Sequence, residues 1–213
     1  MPGDDFGTYF QQRANRFAAF YSSEPVARML GRGPLFDRLR LAVDLAAELE
    51  AATVLDVGCG SGPLFAPLAE RGIRVTGIDP AEAMVALARR QAAEFPGLVE
   101  VRQGGWEDLD EVDGYDLAVA LGVFDYVAQP ADLLRRMGRA ASHAFGSFPS
   151  PGVRTGLRKV RYGARGVGVH GYTPEDFERI AGEAGMEVAR KTPLGRAGYV
   201  VHFRRRNGVL PSS

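Results

Sequence analysis

Cysteine is nearly missing from this chain. Cys59 is the only one, so no disulfide can form within it. An excess of one charge is missing too. The 26 Lys and Arg residues balance 26 Asp and Glu residues, giving a formal net charge of zero, so whole-molecule attraction to nucleic acid is not indicated. No apolar run reaches the ~20 residues that a membrane-spanning helix needs. The start, Met1-Pro2-Gly3-Asp4-Asp5, is acidic and lacks the basic-then-apolar layout of a signal peptide, so a cytoplasmic protein is expected. The three histidines stand far apart with no cysteine partner and show no zinc spacing, so no metal is expected. Internal repeats and low-complexity tracts are absent. What remains is 213 residues of ordinary composition, enough for one domain with a sizeable core.

The periodicity divides the chain. Residues 1–50 read as a helical cap: Phe6, Phe10, Phe17, Phe20 and Tyr21 supply an aromatic face, and Leu35, Leu39, Val43 and Leu49 continue near helical spacing. From residue 52 strands and helices alternate. Strands are expected over 53–57, 73–78, 98–102, 115–120 and 142–148, and helices over 62–71, from Asp79-Pro80 onward, and over 131–141. The run at 115–120 is nearly all apolar, as a central strand buried on both faces should be. Thr173-Pro174-Glu175-Asp176 opens a further helix with a cap, a first-turn proline and a capping-box acid, and Phe177, Ile180, Ala181 and Ala184 face the core. Two strands, 186–191 and 198–203, follow with a short connection that implies antiparallel pairing. The fold expected is α/β, a parallel sheet with helices on both faces and ligands beyond the carboxyl ends of its strands. The organisation expected is a cap over 1–50, a core over 51–205 with an insertion around 149–172, and a polar tail over 206–213.

The chemistry concentrates at Asp56-Val57-Gly58-Cys59-Gly60-Ser61-Gly62, between the first strand and the next helix. Glycines at alternate positions let the backbone turn tightly and approach a ligand, and the following helix presents free amides. A dinucleotide fingerprint would place its third glycine where Pro63 stands, and Asp56 would repel a pyrophosphate. Without a lysine followed by serine or threonine the loop is no P-loop. A carboxylate before the turn suits a zwitterion with an amino group. One strand on, Gly77-Ile78-Asp79-Pro80 supplies an acid able to accept hydrogen bonds from both ribose hydroxyls, or to cap its own helix.

The segment Val54 to Gly62 resembles the first motif of class I S-adenosylmethionine-dependent methyltransferases. The resemblance implies a doubly wound, seven-stranded Rossmann-like sheet with an antiparallel C-terminal strand and an N-terminal helical cap. It implies S-adenosyl-L-methionine as cofactor and S-adenosyl-L-homocysteine as product. It assigns Asp56, Gly58 and Gly60 to the cofactor loop, Asp79 to the ribose, Pro80 and Met84 to the adenine, and Leu121 to the methionine part, with Tyr21 closing from the cap. The third motif departs from the family: Gly105 stands where an adenine-binding aspartate is usual. Adenine recognition is left to the Gly105–Trp106 backbone, to stacking on Trp106, or to Glu107. Tyr9-Phe10, the pair Phe17 and Tyr21, and the terminal helix with two strands are similar to a small-molecule branch that includes magnesium-protoporphyrin and ubiquinone-pathway O-methyltransferases.

The acceptor side rests on composition. The stretch 151–170 carries Arg154, Arg158, Lys159, Arg161 and Arg165 with no acid. It reads either as a solvated basic face or as a lid for an anionic, partly apolar acceptor, with Phe124, Arg158, Arg161 and Tyr172 as substrate contacts. Methyl transfer is an in-line displacement that alignment and water exclusion can largely drive, and a base is needed only for a protonated nucleophile. Tyr126 and His170 are the catalytic candidates, while His143 and His202 read as structural. The expectation is a small-molecule O- or N-methyltransferase, monomeric or homodimeric, with no nucleic-acid partner. The alternatives are a nicotinamide oxidoreductase, a nucleic-acid methyltransferase and a non-catalytic cofactor-binding subunit.

Overall fold

In this computed structural model the described residues are 33–111, 114–152, 156 and 168–206. The aromatic cap with Tyr21, most of the basic insertion with Arg158 and Arg161, and the tail from 207 lie outside them.

Helix α1 (Gly33–Glu48) leads into strand β1 (Thr53–Val57). Then follow α2 (Phe65–Ala69), β2 (Arg74–Asp79), α3 (Glu82–Ala92), β3 (Val99–Gln103) and a 3₁₀ turn (Trp106–Glu111). The second half comprises β4 (Tyr115–Ala120), α4 (Pro130–Ala140), β5 (Ala141–Pro149), α5 (Pro174–Glu183), β6 (Met186–Pro193) and β7 (Gly198–Arg205). The seven strands form one sheet in the order β3-β2-β1-β4-β5-β7-β6. Strands β1 to β5 pair in parallel, while β7 runs antiparallel to both β5 and β6.

Alternation along the strands explains the two layers. Val54, Val75, Leu117, Val119, Phe145 and Val200 face one way, packing with Ala42, Leu45, Ala46, Phe65, Leu68 and Ala88 of α1, α2 and α3. Leu55, Val57, Ala118, Phe148, Val201 and Phe203 face the other way, against Leu133, Leu134 and Met137 of α4 and Phe177 and Ile180 of α5. The capping box at Thr173 and Asp176 forms as expected, and Gly185 (φ 74°) ends that helix.

Two expected helices differ from the structure. The one expected over 62–71 is only the short α2, because Gly62 and Gly72 both adopt positive φ and leave the turns around it non-helical. The one expected from Asp79-Pro80 begins at Glu82, with Ala81 as its N-cap. Asp79 therefore stays on β2, where its side chain is used differently. In the buried stripe of α3, Val85 joins Met84 and Ala88, and Leu87 is only half-buried.

Phe148 is the hub of the second layer. Its ring lies 4.3 Å from Phe124, 5.1 Å from Phe177, 5.2 Å from Tyr172 and 5.9 Å from Phe203. Gly146 makes this stack possible, since a Cβ there would lie 2.6 Å from the Phe124 ring and 2.9 Å from that of Phe148. Phe148→Ala is expected to lower the unfolding free energy by about 3–5 kcal/mol, read from urea titration, because so crowded a cluster cannot collapse into the space left.

Candidate active site

The glycine loop is fastened to the end of β2. The amides of Gly58 and Cys59 both donate to the Ile78 carbonyl, at 2.8 and 3.1 Å. The amide of Gly60 donates to Asp79 Oδ2, and that of Ala81 to Asp79 Oδ1, each at 2.9 Å. Asp79 thus ties the loop to the start of α3, and its remaining lone pairs stay available to hydroxyl donors. Gly60 (φ 56°) has nothing within 4 Å of where a Cβ would sit, so the loop faces open space there. Gly62 and Gly77 serve the core instead, because a Cβ on either would enter the Phe65 ring, at 2.5 and 2.6 Å. They admit the buried phenyl that supports the loop from below.

Asp56 and Asp79 are buried at this end of the sheet, as is Asp125 in the loop after β4. Burial, reinforced by the charge of Asp79, pushes Asp56 up to about 7, with Arg38 acting in the opposite direction. Burial also raises Asp79, opposed by its bonds from Ala81 and Gly60. Burial followed by the two carboxylates holds the Cys59 thiol well above its usual range, so it is no nucleophile. Arg38 of α1 completes the arrangement: a Cβ on Gly122 would lie 3.0 Å from its Nη1. Asp56 and the Arg38 guanidinium interact electrostatically, and such a pair fits the ammonium and carboxylate of an amino-acid moiety. Arg38 was not read from the sequence. Its only signal is a half-buried position beside Leu39, within the apolar stripe of α1.

The open space at Gly60, the buried ribose-type acid and this charge pair suit an adenosine cofactor bearing an amino acid. Beside Asp79, Met84 and Ala81 form a small apolar cluster separate from the two main cores, and Pro80 is exposed next to it. The Gly105 amide donates to Asp108 Oδ2 at 2.8 Å. Trp106 is half-buried, packing on the core with the Arg136 guanidinium 5.5 Å from its ring centroid. Leu121 is half-buried against the α1–α3 layer.

The loop after β4 faces two ways. Gly122 meets Arg38, and Val123 reaches the glycine loop, its Cγ2 2.5 Å from where a Gly58 Cβ would sit. Phe124 turns into the core. Phe124 and Tyr172, expected as substrate contacts, both pack on the core: Phe124 is fully buried on Phe148, and the Tyr172 hydroxyl donates to the Phe124 carbonyl at 2.9 Å, while Tyr172 also lines a cavity with His170. Tyr126 and His170 are both half-buried and close along the chain path, for the His170 amide donates to the Asp125 carbonyl at 2.8 Å. The next segment is stitched to β5 through Tyr172 N–H and Pro149 O at 2.8 Å, which puts His170 at the carboxyl end of the sheet.

His143 pairs in register with Leu117 near the start of β4, toward the opposite end. Its Nδ1 lies 3.0 Å from His202 Nε2. Burial and the neighbouring His143 lower His202 to about 4, consistent with a neutral, structural pair. Among the described residues no group of three or more His, Cys, Asp or Glu could hold a metal ion.

Asp56 has a consequence for stability. Between its ordinary 3.8 and about 7, the folded chain holds a proton that the unfolded chain has released. The contribution of this residue to unfolding free energy therefore falls as pH rises through that window, and the cost is complete above it. Asp56→Asn should flatten this decline in denaturant titrations run from pH 4 to 8. An unchanged slope would show that Asp56 is ionised throughout.

A family model described as a methyltransferase domain matches residues 54–143. The ubiquinone biosynthesis O-methyltransferase of Methylobacterium sp. (strain 4-46) is 30% identical over 204 residues, covering 89% of this chain and 76% of that protein. The protein of the same name from Pseudomonas paraeruginosa (strain DSM 24068 / PA7) is 40% identical over 182 residues, covering 78% of each. Among solved structures, magnesium protoporphyrin IX methyltransferase from Synechocystis PCC 6803 with bound S-adenosylhomocysteine superimposes with a TM-score of 0.76 at 22% identity. The match covers 93% of this chain and 97% of that one, which shows a shared fold. With the glycine loop and its two buried acids in place, the chain belongs to the class I S-adenosylmethionine-dependent methyltransferases, in their small-molecule branch, and is an enzyme whose cofactor is S-adenosyl-L-methionine.

Proposed function

We propose that the enzyme methylates an oxygen of a small, partly apolar acceptor that carries an anionic group. The observation that carries this reading is the pair of relatives at 30% and 40% identity, both named for ubiquinone biosynthesis O-methylation, of whose length the chain covers about three quarters. When bound, the cofactor supplies a methyl group activated on a sulfonium. Asp79 would hold the ribose hydroxyls, Asp56 the ammonium and Arg38 the carboxylate. Val123, wedged against Gly58, would hold the loop after β4 against the cofactor loop. His170 is the base that takes the acceptor's hydroxyl proton, with Tyr126 beside it. Arg158 and Arg161, which lie outside the described residues, bind the anionic group.

Among the described residues no helix is long and apolar enough to cross a membrane. We place the enzyme in the cytoplasm, as a monomer or homodimer.

Incubating the enzyme with methyl-labelled cofactor and a panel of hydroxylated and amino-substituted aromatic acids tests the acceptor class. Label is expected in methyl ethers, and label confined to amines would overturn the assignment. His170→Ala should lower kcat for a phenolic acceptor roughly a hundred- to ten-thousand-fold and leave S-adenosylhomocysteine affinity unchanged. Arg158→Ala with Arg161→Ala should raise KM for the anionic acceptor, again with cofactor affinity unchanged. An unaltered KM would return the basic stretch to solvent.

A further inference from the structure

The loop after β4 meets two neighbours at once, Arg38 of α1 at Gly122 and the glycine loop at Val123. The sheet itself does not hold it there. The parallel pairing of β4 with β5 ends at Ala120 and Gly146, and the loop continues beyond it. Gly122 then turns with a φ of 82°, and its amide finds no backbone acceptor among the described residues. An amide at such a place needs a side-chain partner or water.

Two consecutive residues of β5 take over where the pairing stops. Alternation along the strand turns Ser147 and Phe148 to opposite faces. Phe148 lies in the α4–α5 layer and stacks on Phe124 at 4.3 Å. Ser147 lies on the other face with Phe145, whose neighbours belong to α1–α3. It is a buried polar residue, and its Oγ accepts the Gly122 amide at 2.8 Å. The loop is thus clamped at Gly122 by a hydroxyl and at Phe124 by a ring. Val123 stands between the clamps, and its Cγ2 lies 2.5 Å from where a Gly58 Cβ would sit. We infer that Ser147 is a positioning residue for the cofactor site. Its hydroxyl fixes Gly122, and through Gly122 it sets how Val123 meets the glycine loop and where the chain lies against Arg38. The inference rests on the reading that the glycine loop and Arg38 hold the cofactor.

The test measures S-adenosyl-L-homocysteine binding to the full chain by calorimetry, with urea titration of each variant alongside. Ser147→Ala should weaken binding about tenfold, because the Gly122 amide loses its acceptor and the loop its clamp. Ser147→Thr, which returns the hydroxyl, should recover most of the affinity. Gly185→Ala serves as the control for general loss of stability. It forces a side chain into a positive φ at the far end of α5, and it should unfold more easily yet bind as the wild type does. In a Val123→Ala background the effect of Ser147→Ala should shrink, since the side chain it aims is gone. If Ser147→Ala does not fold, Ser147→Cys decides the same question: its thiol is a weaker acceptor, so a smaller loss in the same direction is expected. Wild-type affinity in the folded Ser147 variant that lacks the hydroxyl would overturn this inference alone. A wild type that does not bind the probe would overturn the cofactor reading beneath it as well.

Discussion

One buried carboxylate couples the parts of this active site. Asp79 takes the Gly60 amide on one oxygen and the Ala81 amide on the other, so the loop after β1 and the start of α3 are fixed relative to each other. The Gly58 and Cys59 amides add a second attachment through the Ile78 carbonyl. Bonds from backbone N–H groups to an ionised acid are among the stronger hydrogen bonds, and here they are sheltered from water. The Phe65 ring, admitted by Gly62 and Gly77, supports the same loop from the core. A ligand that engages Asp79 consequently meets a site whose backbone is already arranged.

The arrangement carries an electrostatic cost. Asp56 and Asp79 are buried near each other: burial raises both, and the charge of Asp79 raises Asp56 further. On the proposed reading, the ammonium of the cofactor compensates Asp56 and its carboxylate meets Arg38. The charge pattern thus favours the loaded state over the empty one, and any ligand that binds only the folded chain adds to its stability.

Structure on the two sides of the sheet follows function. The α1–α3 layer carries Arg38 and supports the glycine loop. The α4–α5 layer carries the aromatic cluster around Phe148, and through Tyr172 and Phe124 it fixes the loop between β4 and α4. One loop therefore presents Gly122 to Arg38 and Val123 to the cofactor loop while its next residue is locked into the core. Phe124 and Tyr172 read as pocket residues from the sequence because aromatic side chains near an expected pocket mouth suit either role. Packing buries Phe124 on Phe148, whereas Tyr172 also lines the cavity beside His170.

The sequence by itself determined the strand-helix alternation, the central apolar strand at 115–120, the capping box at Thr173 and the antiparallel end. These rest on local periodicity and turn chemistry, which neighbouring residues settle among themselves. It also singled out Asp56, Gly58, Gly60 and Asp79, because a ligand loop needs a particular backbone geometry that short-range glycine spacing encodes. The tertiary structure alone decided that Asp79 remains on its strand and receives two amides, that Arg38 reaches Gly122 across 84 positions of chain, and that Ser147 receives the Gly122 amide. Each of these joins segments separated by a strand or helix, or depends on which way a short turn folds against its neighbours. Such relations are set by packing, which has no local signature. The loop at residues 56–62 identifies the cofactor, and the groups that complete its site come from elsewhere in the fold.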